Sequence, residues 1–151
     1  MKKMSSNKIE GVTLAPLNII NTEGGDVLHG LKSNEVHFQG FGEAYFSKID
    51  FGSVKAWKRH RRMTMNLIVP VGIIRFVIFD DRDDSKTKGC FQSIELSTEN
   101  YKRLNIPPML WVGFQGKREG LNMLINIANI SHDPEEADNV DKREIDYDWD
   151  E

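Results

Sequence analysis

The sequence predicts an all-β sandwich or barrel, on three observations. Runs rich in Val, Ile, Phe and Met recur at 38–49, 63–71, 73–80, 90–96 and 110–115, each short enough for a strand. Gly, Pro, Asp and Asn punctuate them. Few stretches hold a convincing helical period, and neither an internal repeat nor a Gly/Ser linker divides the chain.

Taken in order, the second and third runs are separated by Val71–Gly72, which reads as the turn of a hairpin. The polar stretch DDRDDSKTKG at 80–89 then reads as a long exit loop. Residues 97–104 (STENYKRL) place an acid shortly after Ser and Thr and predict one short helical turn. Residues 121–130 admit two readings. Apolar side chains at 121, 124, 125 and 128 suit a helix, whereas Asn122 and Asn126 suit a strand with one wet face. Agreement with the β-rich remainder favours the strand.

The chain has 151 residues, of which 39% are hydrophobic and 28% charged, with 12 Gly and 5 Pro. This is enough to bury one core and unlike collagen, a coiled coil or a disordered chain. The longest apolar stretch, 67–74, is interrupted by Pro70 and Gly72 and falls short of the roughly 20 residues a membrane helix needs. Met1–Lys2–Lys3 runs into polar sequence instead of a signal-peptide core. A single cysteine, Cys90, excludes an internal disulfide and a thiolate metal cage. A cytoplasmic protein with no membrane partner is expected.

The net charge of −3 conceals a separation of sign. Residues 55–62 (KAWKRHRR) hold five basic residues, a histidine and no acid. Residues 133–151 hold ten acids against Lys142 and Arg143, a local balance of −8. The expected organisation is one domain, 1–132, followed by an acidic C-terminal tail, 133–151, either solvated or docked through Tyr147 and Trp149. Nucleic-acid binders spread cations and aromatics over a basic domain. One compact cluster in an acidic chain points instead to a compact anion, a phosphate or pyrophosphate, and no nucleic-acid partner is expected.

Read as a strand, residues 52–72 put Lys58, His60, Arg62, Thr64 and Asn66 on one face and Trp57, Arg59, Arg61, Met63 and Met65 on the other. So many buried donors need partners. The polar row therefore faces water or lines a wet cavity whose ligand satisfies it, and its apolar surroundings favour the cavity. Trp57 and Met63, on the opposite face, are then candidates for a dimer contact.

The spacing Gly52, Lys58, His60, Met65, Gly72 resembles the first cupin motif, G-x5-H-x-H-x4-E-x6-G. More narrowly, residues 42–114 resemble the dTDP-4-dehydrorhamnose 3,5-epimerase family. GEAYFSKIDFGSVKAWKRH, VPVGIIRFVIFDDR, IELSTENYKRLNIPPMLWVGF and a later HDPEE with a following Trp carry the likeness. It implies a cupin jelly-roll barrel, commonly a homodimer, acting without metal or other cofactor on nucleotide-linked 4-keto sugars. Lys58 and Met65 stand where the cupin motif has a metal His and Glu, and Val112 and Met109 where its second motif has His and Gly. One remaining imidazole cannot hold a divalent ion, so no metal is expected. The family's base is a His, its acid a Tyr on a later strand, and its phosphate contact an Arg. The matching positions here are Lys58, the neighbourhood of Ile125, and Lys55. The family's C-terminal segment, which gives its His an Asp partner, is expected to be absent because the chain ends at Glu151.

These departures shift the expected chemistry onto other side chains. His60, the one imidazole in the polar row, is expected to carry the proton, and Lys58 to polarise the keto oxygen or bind phosphate. Tyr45, which leads into the basic strand, is the expected substitute acid. Lys55, Arg59 or Arg62 are expected to hold the pyrophosphate, with Asn66 in the same lining. Arg75 faces either the lining or solvent. Arg82, in a DDR that resembles the family's D-x-R exit, is expected to reach the sugar nucleotide. Trp111 is either a base-stacking platform or a core aromatic. The expected function is a nucleotide-sugar epimerase or isomerase of surface-polysaccharide synthesis, acting on a dTDP-4-keto-6-deoxy sugar. The alternative is a catalytically inactive cupin that binds a nucleotide sugar or another anion as an accessory module.

Overall fold

The computed structural model describes residues 8–150, so the Met1–Lys3 segment lies outside it. The described chain is built from strands β1 (Thr13–Pro16), β2 (Ile19–Ile20), β3 (Val27–Leu28), β4 (Glu43–Lys48), β5 (Val54–His60), β6 (Met65–Val71), β7 (Ile74–Phe79), β8 (Phe91–Leu96), β9 (Lys102–Ile106), β10 (Trp111–Gly116), β11 (Met123–Ala128) and β12 (Ala137–Asn139). Two antiparallel five-stranded sheets face each other, ordered β1-β9-β6-β11-β4 and β12-β5-β10-β7-β8, and β2 and β3 form a separate small hairpin. This is an all-β jelly roll, the architecture that the resemblance to the cupin barrels implies.

Alternation explains which side chains meet between the sheets. From β7, Ile74, Phe76 and Ile78 enter the core, while Arg75 and Val77 face outward. Opposite them stand Met65, Leu67 and Val69 of β6, with Leu104 and Ile106 of β9. A second apolar cluster lies behind the β5 sheet, where Trp57, Val77, Phe91 and Trp111 are covered by Tyr147 and Trp149. Trp149 lies 5.4 Å from Trp57, ring centre to ring centre. The approach requires Gly113, because a Cβ there would sit 2.9 Å from Trp149 and 2.7 Å from Ala56.

Several local expectations are corrected. β6 and β7 do not pair, since they belong to different sheets; the Gly72 turn, at φ +83, carries the chain from one sheet to the other. The true hairpin joins β7 to β8, and the 80–89 segment is its connection. Residues 97–104 form no helix. Ser97 Oγ accepts the N–H groups of Glu99 and Asn100 in a tight turn, and β9 follows at once. Asn122 and Asn126 are fully buried instead of wet. Asn122 caps the Gly72 crossover, its Oδ1 accepting from Ile73 N at 2.9 Å and its amide donating to the Arg118 carbonyl. Trp57 and Met63 are both buried, the first under the C-terminal segment and the second between the sheets, so neither is available to a dimer contact.

The acidic segment folds back over the β5 sheet. β12 pairs with β5, Trp57 and Val140 exchange backbone hydrogen bonds, and Trp57 Nε1 donates to the Lys142 carbonyl. Removing a buried indole costs about 3 kcal/mol or more through lost burial and the cavity left behind. Trp149→Ala is therefore expected to lower unfolding stability in guanidinium by about 3 kcal/mol. Val36→Ala, at a loop position that is 91% exposed, should change it by less than about 0.5 kcal/mol. Equal effects would contradict the docked arrangement.

Candidate functional site

The inner faces of the two sheets do not meet along their whole length. A cavity of about 430 Å³ opens between them. Its greasy floor includes Met65, Leu67, Phe76, Val112 and Leu124, and its polar groups are Tyr45, Ser47, Lys55, Lys58, His60 and Asn139. Lys58 and His60 share a wall because they are two apart on β5. Lys55 joins them because the β5–β10 register shifts: Lys58 faces Val112, but Lys55 faces Phe114, so β5 carries one extra residue. Lys55 Nζ donates to the Lys48 carbonyl at 2.8 Å and lies 5.9 Å from the centre of the Phe114 ring.

The expected row ends at His60. β5 stops there, and residues 61–64 cross to the other sheet, which reverses the alternation. Met65 and Leu67 turn inward, and Asn66 turns to the outer face, where its Oδ1 accepts from Arg103 Nε and Asn105 Nδ2. Asn66 therefore does not line the cavity.

The crossover is held by Glu136, the centre of the site. Its Oε2 accepts the backbone N–H groups of Arg62 and Met63 at 2.9 and 2.8 Å, and its Oε1 lies 2.9 Å from His60 Nδ1. Both side chains are buried, Glu136 with 3% of its surface exposed and His60 with 6%. Burial pushes the Glu136 carboxyl up, but the hydrogen bonds from His60 and the two backbone N–H groups outweigh it and hold the group below its ordinary value. A carboxylate on Nδ1 fixes that nitrogen as the donor, so in the neutral ring Nε2 carries the lone pair. An acidic partner for an active-site histidine was not expected from the sequence. The HDPEE segment supplies one, 76 residues away in the chain, a separation at which no spacing rule operates. Asn139, which faces Lys58 across the β12–β5 pair, was missed for the same reason.

Tyr45 lines the opposite wall from β4, and its hydroxyl meets Asn126 Nδ2 at 3.0 Å. The structure thus brings Lys55, Lys58, His60 and Tyr45 to one cavity, and five candidates besides Asn66 lie elsewhere. Arg59 faces outward, stacked 4.5 Å from the Trp111 ring and bound to Asp138. Arg62 is exposed and pairs with Asp133. Arg75 faces neither the lining nor solvent, since its Nη2 donates to Gln115 and to the Trp149 carbonyl beneath the C-terminal segment. Arg82 is committed to Asp80 and the Glu10 carbonyl. Trp111 packs in the outer cluster with its indole N–H on Asp81. Period two holds along β5, but nothing local in the sequence marks which acids hold Arg59 and Arg62 outside. Among the described residues, no group of three or more His, Cys, Asp or Glu is placed to hold a metal ion.

No family-wide sequence model matches the chain. It is 32% identical over 96 residues to the probable low-salt glycan biosynthesis epimerase Agl13 of Haloferax volcanii, a match spanning 63% of this chain and only 62% of that protein. It is 27% identical over 145 residues to the spore coat polysaccharide biosynthesis protein SpsL of Bacillus subtilis, covering 93% and 96%. Among solved structures it matches a dTDP sugar isomerase from Desulfovibrio desulfuricans G20 with a TM-score of 0.91 at 38% identity, covering 94% of this chain and 92% of the other. It shares its fold with the dTDP-4-dehydrorhamnose 3,5-epimerase of Elizabethkingia anophelis, with a TM-score of 0.80 at 17% identity over 95% and 84% of the two chains.

The site also sets an acid limit for the fold. Asp138, bound by Arg61 and Arg59, is held down to about 2. A carboxyl with a lowered folded-state value stabilises the fold fully above its unfolded value and ceases to as pH falls through the folded one. Melting temperature should therefore hold down to about pH 5 and drop between pH 4.5 and about 2. Glu136→Gln should make that drop shallower, and an unchanged slope would contradict the charge assigned to Glu136.

Proposed function

Because the chain belongs to the dTDP-4-dehydrorhamnose 3,5-epimerase family of cupin barrels, we propose that it epimerises or isomerises a nucleotide-linked 4-keto-6-deoxy sugar, dTDP-linked, for surface-polysaccharide synthesis. The observation that carries the reading is the His60–Glu136 pair at the cavity wall, with Lys58 beside it. A neutral imidazole whose Nδ1 is committed to a carboxylate offers Nε2 as a base. His60 takes the proton from the carbon next to the C4 ketone. The electron pair moves onto the keto oxygen, and the Lys58 ammonium steadies the enolate that forms. Tyr45, across the cavity, returns a proton to the opposite face of the same carbon, which inverts it. Lys55, an exposed cation of the lining, takes the pyrophosphate. Arg59, Arg62, Arg75 and Arg82 have no part in this scheme, because acids or carbonyls outside the cavity already hold them.

The chain's second reading is a catalytically inactive nucleotide-sugar-binding cupin, favoured by the lysine at position 58 where the family has its base. We also propose a cytoplasmic homodimer. The partly exposed free thiol of Cys90 supports a reducing compartment. Phe41 and Phe46, each 64% exposed, support a second copy covering the flank of the β4 sheet. Light scattering should then give twice the chain mass.

Incubated in heavy water with dTDP-4-keto-6-deoxyglucose, the protein is expected to wash deuterium into a carbon next to the ketone. His60→Asn should slow this by about 100-fold or more and Lys58→Met by about 100-fold. Saturable binding without exchange would favour the inactive reading. Neither binding nor exchange with any 4-keto nucleotide sugar would overturn both.

A further inference from the structure

Tyr45 and Asn126 are register partners across the β4–β11 pair, and the Asn126 amide is fully buried. Its two ends are not interchangeable. Oδ1 lies 3.0 Å from the backbone nitrogen of Asn66, a group that only donates. The oxygen must therefore occupy that end and Nδ2 the other, 3.0 Å from the Tyr45 hydroxyl and 3.7 Å from the Met63 sulfur. An amide nitrogen donates and has no lone pair to offer. The Tyr45 oxygen consequently accepts, and its own O–H must point elsewhere. Among the described residues no other group takes that proton, and the side chain lines the cavity with 37% of its surface exposed. The free direction is toward a bound ligand.

We propose that Asn126 is a positioning residue that fixes the polarity of the Tyr45 hydroxyl, turning its proton into the cavity toward the face of the substrate opposite His60. This inference rests on the epimerase reading above. In the protonation step the enolate carbon forms a bond to the hydroxyl hydrogen while the O–H bond breaks. The electron pair stays on the Tyr45 oxygen, where the Asn126 N–H already donates, and water later restores the proton. The chain of constraint runs from the Asn66 main chain through one amide to the phenol, so the backbone of β6 orients the acid.

The test compares Asn126→Leu, Asn126→Asp and Tyr45→Phe with the unmodified protein, following deuterium wash-in and inverted product separately. Leu removes the donor. Asp keeps the shape and still accepts from Asn66, but it can only accept from the phenol, which draws the proton away from the cavity. Exchange through His60 should stay within about 3-fold in all three variants, with KM unchanged. Inversion should fall about 100-fold, as for loss of a general acid, and Tyr45→Phe combined with Asn126→Leu should be no worse than Tyr45→Phe alone. If the Leu variant does not fold, the Asp variant answers the question. In addition, Tyr45→Phe in the unmodified background should shift the Asn126 side-chain NH₂ resonance while leaving the Asn66 amide in place. If Tyr45→Phe abolishes inversion but the Asn126 variants retain it, or if the Asn126 resonance does not respond, this inference is overturned and the function stands. If Tyr45→Phe leaves inversion intact, the acid assignment falls and takes the inference with it. Absence of both exchange and inversion in the unmodified protein would overturn the epimerase reading itself.

Discussion

A buried carboxylate with three donors holds the site together. Glu136 satisfies the main chain of Arg62 and Met63 with one oxygen and the His60 imidazole with the other. Each of these groups would cost about 1–3 kcal/mol if left buried and unpaired. The same contact fixes where β5 ends, so the chain crosses to the facing sheet after His60 and the side-chain alternation reverses. It also leaves the imidazole with its basic nitrogen turned away from the acid. Fold and chemistry therefore share one constraint, and the segment that supplies it is the acidic end of the chain.

That end has a second effect. Asp133 and Asp138 pair with Arg62, Arg59 and Arg61, and the Trp149 carbonyl takes Arg75. The basic cluster is thereby sorted: its arginines are neutralised on the outer surface, and its lysines at 55 and 58 remain in the cavity. A lysine is a compact point charge, not a planar fork. Such a cavity suits a developing oxyanion and a flexible phosphate group better than rigid bidentate capture.

Much of this was legible in the sequence, and what was not has physical reasons. Strand-length apolar runs and turn residues predicted an all-β sandwich or barrel, the family resemblance implied the jelly roll, and period two along β5 correctly set Lys58 and His60 apart from Trp57 and Arg59. The same rule failed beyond His60. Asn66 was carried inward by an alternation that a crossover interrupts, and nothing local marks the crossover, because its anchor is Glu136. The hairpin expected at Gly72 failed similarly, since a tight turn does not reveal whether its strands stay in one sheet. Asn122 and Asn126 looked like solvent-facing residues because polarity alone does not distinguish a wet face from a buried amide with full partners. Arg59 and Arg62 were misplaced because their acids lie more than 70 residues away, and Arg82 because its acid is a near neighbour in its own loop, Asp80.

In the proposed function the space between the sheets receives the sugar, with the base on one wall and the acid on the other. A crystal structure of the protein with a non-reacting dTDP-sugar analogue tests it most directly. The sugar ring is expected between His60 Nε2 and the Tyr45 hydroxyl, its C4 oxygen toward Lys58 and its pyrophosphate at Lys55. A nucleotide sugar seated outside the barrel, or one whose C4 region is remote from both His60 and Tyr45, would contradict the account.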